Sequence, residues 1–334
     1  MRQRLSEIGW RTAIVLLVPS TFTTTRAAAQ DQPLNAAALF LLFPVGATTV
    51  GMGQTAAAAD GHGEVVFQNP AGVASLSSSE FALHTATLAA GPTNALTAFF
   101  PRHGIGVFGA TLYLADYGDL ELTDSSGTTN GRLSSRNFAF LATYATQLTG
   151  SVSLGVSYKL VQFAVTCSGA CQSVPAGQGV THALDVGGQF AVGADHALRI
   201  GVALRNVGFP LQVNNRDQAD PLPTRLTIGA TYRLQLRPVD DSVADRFDLR
   251  MAADVDSPWR QTGNPDIRLG VDVGYREMVR VRGGYAFVHQ GLSGPSIGLG
   301  VATGAIGVDL ARMFLTGTDL VTPNPTFLSF RVQF

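Results

Sequence analysis

The chain has 334 residues, a formal charge of -1, and 14% charged against 46% hydrophobic residues. The near-neutral balance gives no case for a nucleic-acid partner. So few charges are also unusual for a water-facing protein of this length. After residue 29 there is no run of about 18 apolar residues, which excludes a helical membrane protein.

The first element in chain order is an export signal over residues 1–29. Arg2, Arg4 and Arg11 supply positive charge, and Thr12 to Val18 form an apolar core too short to span a bilayer. Ala27, Ala28 and Ala29 supply small residues for cleavage before Gln30. The alternative is an uncleaved N-terminal anchor.

Residues 30–79 form a second segment, which does not alternate. It contains Phe43-Pro44-Val45-Gly46-Ala47, Gly51-Met52-Gly53, Ala58-Ala59-Asp60 and Asn69-Pro70-Ala71-Gly72. The run from Gly51 to Ala56 has the spacing of a dinucleotide fingerprint, but no βαβ unit surrounds it and no acidic residue is well placed about 20 positions later. A nucleotide role is set aside.

From residue 80 to 334 the sequence reads as strands. Leu226, Ile228, Ala230, Tyr232 and Leu234 alternate with Arg225, Thr227, Gly229, Thr231 and Arg233. Phe247, Leu249, Met251, Ala253 and Val255 alternate with Asp248, Arg250, Ala252 and Asp254. Ile267, Leu269, Val271 and Val273 alternate with Arg268, Gly270 and Asp272. This period of two marks strands with two unlike faces. Strands are expected near 80–89, 93–101, 104–116, 135–147, 151–163, 180–192, 197–206, 224–236, 245–256, 266–275, 278–287, 296–302, 304–311 and 327–334. That is an all-β fold of about 14 strands, an even number suited to a transmembrane antiparallel barrel.

A soluble sandwich has the same period. Two features favour the barrel. The polar faces carry small residues with isolated charges, as a crowded lumen would. The connections are also sorted: mostly short after even-numbered strands and mostly longer after odd-numbered ones, as 117–134, 164–179 and 207–223 illustrate. A barrel has short periplasmic turns and long outer loops. On the last strand Leu328, Phe330, Val332 and Phe334 share one face, the C-terminal pattern of outer-membrane barrels. The bacterial outer membrane, with its lipid around the wall, is the expected setting.

Alternation turns Arg225, Arg233, Asp248, Arg250, Asp254, Arg268, Asp272, Arg280, Arg282 and Arg331 toward the lumen. Asp185, Arg199, Arg205 and Asp309 join them. Two readings stay open: a salt-bridged lining that satisfies buried charge, or a selectivity lining. Cys167 and Cys171 share the loop after the fifth strand, and an exported chain with two cysteines suggests a disulfide, with free thiols the alternative. No metal or cofactor pattern is present. The six histidines are scattered, and Asp124 to Gly131 reads as a polar turn. No nucleophile elbow marks an enzyme.

The N-terminal motifs, with Leu204-Arg205-Asn206-Val207-Gly208, Leu222-Pro223-Thr224-Arg225-Leu226 and Val281-Arg282-Gly283-Gly284-Tyr285, resemble the PorV/PorQ group of FadL-like barrels. The resemblance covers nearly all of the mature chain. It implies that the segment before the first strand is a lumen plug. Gly51, Met52, Gly53, Asn69, Pro70, Ala71 and Gly72 would then gate the lumen or cap a turn at its floor. It further implies a non-enzymatic docking or shuttle role in protein secretion, with secreted cargo or secretion-system proteins as partners. The alternative is a FadL-like channel for hydrophobic small molecules, and an outer-membrane enzyme is a third reading.

Overall fold

The alternating stretches close into a single cylinder. The computed structural model describes residues 36–124, 126–170, 177–193, 195–213, 219–236, 247–259, 264–276, 278–289, 291–316 and 324–334. The expected export signal lies outside the described residues.

The wall consists of β1 (Glu80–Leu88), β2 (Gly91–Arg102), β3 (Gly106–Thr123), β4 (Thr129–Gln147), β5 (Val152–Gly169), β6 (Gly177–Val192) and β7 (Leu198–Gly208). It continues through β8 (Arg225–Leu236), β9 (Phe247–Pro258), β10 (Asp266–Tyr275), β11 (Val279–Phe287), β12 (Gly294–Thr303), β13 (Ile306–Met313) and β14 (Thr326–Gln333). Each strand pairs antiparallel with its sequence neighbours, and β14 pairs with β1 to close the ring. At that seam the Ser79 N–H donates to the Phe334 carbonyl at 3.1 Å, and the Phe334 N–H donates back at 3.0 Å. The Phe334 ring stacks on Phe81 at 5.6 Å.

Period two here separates lipid from lumen. Ile228, Tyr232, Leu269, Val271, Leu299, Leu310 and Leu328 are exposed, whereas Thr227, Arg268, Asp272, Asp309 and Ser329 are buried. A soluble protein would reverse this, because exposed apolar area costs about 25 cal/mol per Å² in water. An apolar exterior around a closed wall is stable only in hydrocarbon, where closure also satisfies every backbone group. No described helix is long and apolar enough to cross a membrane; the strands do so.

Ten strands have eight to twelve residues, close to the roughly 9–11 that span a bilayer. The other four, β3 to β6, have 16 to 19. The stretch 117–134, expected to be a loop, is therefore mostly the upper part of the β3–β4 hairpin. Beyond a register shift between Asp116 and Asp119 both faces of β3 are wet, so no apolar face marks it as strand. Exposed pairs Arg136–Asp116 and Arg132–Asp119 lie along it. At its tip the Asp124 carboxylate accepts from the Ser126 and Thr128 N–H groups and the Ser126 hydroxyl. These bonds, the Ser126 hydroxyl first, hold its pKa below the ordinary value.

The connections at the end shared by Glu80 and Phe334 are 103–105, 148–151, 193–197, 276–278, 304–305 and the longer 237–246. At the opposite end they are 89–90, 124–128, 170–176, 209–224, 259–265, 288–293 and 314–325. The first end is periplasmic by this pattern. Cys167 lies on β5 opposite Leu133 of β4. Its expected partner Cys171 lies outside the described residues.

Candidate functional site

Residues 36–79 pack against the inner faces of the strands. The segment has one short helix, α1 (Ala47–Gly51), and 3-10 turns at Leu39–Leu42, Gly63–Phe67 and Pro70–Ser75. With so little regular structure its polar groups bond to the wall instead. The Ala47 N–H donates to Ser329 Oγ at 2.8 Å on β14, and the Gly53 N–H to Ser296 Oγ at 3.2 Å on β12. The Ala56 and Ala57 N–H groups both donate to Asp254 Oδ2, at 2.8 and 2.9 Å on β9. Gln189 Nε2 on β6 donates to the Ala59 carbonyl at 2.7 Å, and Arg205 Nη1 on β7 to the Phe67 carbonyl at 3.0 Å.

Small residues allow this approach. A Cβ on Gly201 of β7 would collide with the Ala57 carbonyl, and one on Gly284 of β11 with the Met52–Gly53 peptide. Gly51, Met52 and Gly53 are buried here, against β10 to β12. Asn69, Pro70, Ala71 and Gly72 are buried on the opposite side, against β5 and β6. Asn69 is fully buried. Its amide donates to the Ala57 carbonyl at 2.6 Å and approaches those of Gly188 and Val202, while its Oδ1 accepts from the Ala71 N–H at 3.0 Å. The last contact caps the Pro70–Ser75 turn, with Pro70 at the position that needs no donor.

Most of the inward charges form two chains of ion pairs. On β7 to β10 the hub is Asp256. It faces Arg268 at 2.9 Å, Arg205 at 3.5 Å and Arg225 at 3.8 Å, and accepts from Thr227 Oγ1 at 2.7 Å. Arg225 also meets Asp266 at 3.1 Å. On β9 to β14, Asp248 pairs with Arg280 at 2.7 Å and Arg250 at 3.5 Å, and Asp272 with Arg280 at 2.9 Å and Arg282 at 3.6 Å. Asp309 closes the chain with Arg282 at 2.6 Å and Arg331 at 4.0 Å. Arg233 lies apart, 3.2 Å from Asp60 of the N-terminal segment.

Several participants lay outside the sequence expectation. Asp256 and Asp266 lie inside the expected strands with the parity of Asp254 and Arg268, so carrying the alternation to the strand ends finds them. Glu64 and Asp60 sit where nothing alternates; Asp60 belongs to the Ala58-Ala59-Asp60 motif but had no ion-pair role there, and no local signal marks Glu64. Glu64 is 3% exposed and its Oε1 accepts from the Thr49 N–H at 2.6 Å and hydroxyl at 2.9 Å. Its Oε2 is 3.7 Å from His84 Nδ1. Burial, then repulsion from Asp309, raises its pKa to about 7. A further group surrounds a kink in β7, where Arg205 and Asn206 together oppose Asp185. Asn206 adopts φ 57°, a conformation Asn tolerates better than most residues. Lys159 Nζ ties the kink together, 2.7 Å from Asp185 and 2.6 Å from Asn206.

The outer half of the lumen is apolar along β1 to β6 and β11 to β14, while the Asp256 ion pairs occupy its β7 to β10 side. Phe40 and Val45 of the segment pack with Tyr113, Ala139, Leu141, Val161 and Ala183 of β3 to β6. Ala47 and Val50 pack with Leu88, Ala311, Met313 and Phe327 across the barrel. At the periplasmic mouth a cavity of about 480 Å³ opens beside Asp60, Arg199 and Arg233.

No family model and no curated protein matches the chain. Solved structures do match. The Ralstonia pickettii toluene transporter TbuX superposes with a TM-score of 0.59 at 14% identity, over 86% of this chain and 98% of that one. The monoaromatic hydrocarbon channel CymD gives 0.55 at 16% identity, over 87% and 97%. A Pseudomonas aeruginosa FadL homologue gives 0.50 at 11%, over 87% and 98%. These likenesses establish the fold. The chain is an outer-membrane β-barrel, and within that class its architecture is FadL-like.

Proposed function

We propose that the barrel passes small hydrophobic molecules across the outer membrane, without enzymatic chemistry, and that residues 36–79 act as its plug. The observation that carries this reading is the pair of apolar clusters in the outer lumen, on β2 to β6 and on β1 with β11 to β14. A water-filled pore has a polar interior, whereas Tyr113, Ala139, Leu141, Val161 and Ala183 point inward here and meet Phe40. An apolar molecule gains about 25 cal/mol per Å² on leaving water for such a surface. The similarity to barrels described as a toluene transporter and a hydrocarbon channel supports the same reading. Gly51 to Gly53 and Asn69 to Gly72 would hold the plug to opposite walls, and the paired arginines and aspartates would stiffen the wall around it.

Uptake of labelled toluene into proteoliposomes tests the proposal. The native chain should accelerate uptake, and Ala139→Trp, which fills the outer lumen, should abolish the acceleration while leaving a heat-modifiable, folded barrel. Native proteoliposomes no faster than empty ones would overturn it. The docking role implied by the PorV/PorQ resemblance rests on that resemblance alone. The projecting β3–β4 hairpin is the surface it would use, and a secreted protein that co-purifies only when residues 117–133 are present would favour it.

A further inference from the structure

The periplasmic mouth holds an arrangement that the channel reading does not use. Asp60 is gripped by two arginines. Its Oδ2 lies 2.8 Å from Arg199 Nη2 and its Oδ1 3.2 Å from Arg233 Nη2. One oxygen to each guanidinium is how paired arginines hold a planar carboxylate. The grip is uneven. The Asp60 and Arg199 side chains are 16% and 18% exposed, whereas that of Arg233 is 41% exposed and borders the cavity. Thr231 and His196 line the same space.

Charge favours an anion. Arg250 lies within electrostatic reach of Arg233, Arg280 and Asp60. Asp248 is taken up by Arg280 and Arg250, and Asp272 is shared between Arg280 and Arg282. Arg199 and Arg233 border the cavity, and Arg250 adds a third positive charge within reach of Arg233, while Asp60 is the one partly buried carboxylate among the lining residues. Asp195 also borders the cavity but is exposed at the rim, where water screens it. At about 480 Å³ the space is of ordinary size for a small organic ligand.

We propose that this mouth is a binding site for a small organic carboxylate from the periplasm, with Asp60 as its built-in competitor. A carboxylate entering the cavity takes over Arg233 and leaves Asp60 with Arg199 alone. Because Asp60 belongs to the N-terminal segment, occupancy loosens one of that segment's ties to the wall. The site is independent of conduction, since binding can be read on a barrel that transports nothing.

The test is calorimetric titration of the full chain in detergent with citrate, at constant ionic strength, with folding checked by heat-modifiable migration. Asp60→Asn removes the competitor, and should tighten citrate binding at least about tenfold, close to 1.4 kcal/mol. Arg233→Gln should lose binding. Should that variant fail to fold, Arg233→Lys keeps the charge but not the fork, and should weaken binding several-fold. Equal affinities for the native chain and Asp60→Asn would overturn the proposal. So would binding unaffected at Arg233, or phosphate binding as tightly as citrate.

Discussion

Glu64 and Asn69 show how single side chains hold a segment that has little regular structure of its own. With its pKa near 7, Glu64 keeps its proton in the folded state where an unfolded glutamate, near 4.5, has lost it. Between those values the folded state binds more protons, so stability falls as pH rises through the window and is level above it. The full effect is at most about 3 kcal/mol. His84, Asp309 and Arg282 are the charged or titratable groups around it. Hydrogen exchange at the Thr49 amide, corrected for intrinsic rate, should show less protection near pH 8 than near pH 5, and Glu64→Gln should remove the difference. Asn69→Ala strands buried backbone partners and should cost about 1–3 kcal/mol, read as a lower temperature for loss of the compact gel form. The two residues differ in legibility. Asn69 stands in a recognisable Asn-Pro-Ala-Gly turn, whereas Glu64 acquires its partners only when Thr49 and His84 fold around it.

At the scale of the element, alternation made most of the wall readable, because lipid and lumen impose opposite demands on successive residues. It failed on 117–134 for the same physical reason. Above the membrane both faces of the β3–β4 hairpin meet water, and no demand separates them. The two settings also predict opposite energetics for similar ion pairs. Asp256→Ala leaves Arg205, Arg225 and Arg268 without their shared counter-ion inside the wall, and should cost about 3–5 kcal/mol. Asp116→Ala removes an exposed partner of Arg136 and should cost less than about 1 kcal/mol. Thermal unfolding of the two variants in one detergent checks the contrast, and equal losses would contradict it. Within the wall the sequence pointed to Arg225 and Arg268 but missed Asp256, their common partner, because the list of inward positions on β9 stopped two residues early.

For the whole molecule, the number of strands and their antiparallel order followed from the pattern, but the lumen's contents did not. Which wall residues meet Gly53 or Ala57 depends on closure, which brings β6, β9 and β12 around one segment. A barrel from which residues 39–75 are deleted should conduct in planar bilayers, with discrete openings absent from the full chain. Silence from both would contradict the plug. The seam between β1 and β14 has a further consequence, for assembly. Every other neighbouring pair is a hairpin of consecutive strands, which forms locally and early. The seam joins the two strands farthest apart in the chain, at a loop-closure cost that grows with the logarithm of the separation. It also requires β14, at the far end of the wall in chain order, to reach β1. Until then the nascent wall carries two unpaired edges, each able to recruit a stray strand. The most hazardous interval in this protein's life is thus a nearly complete sheet that has not yet met its own beginning.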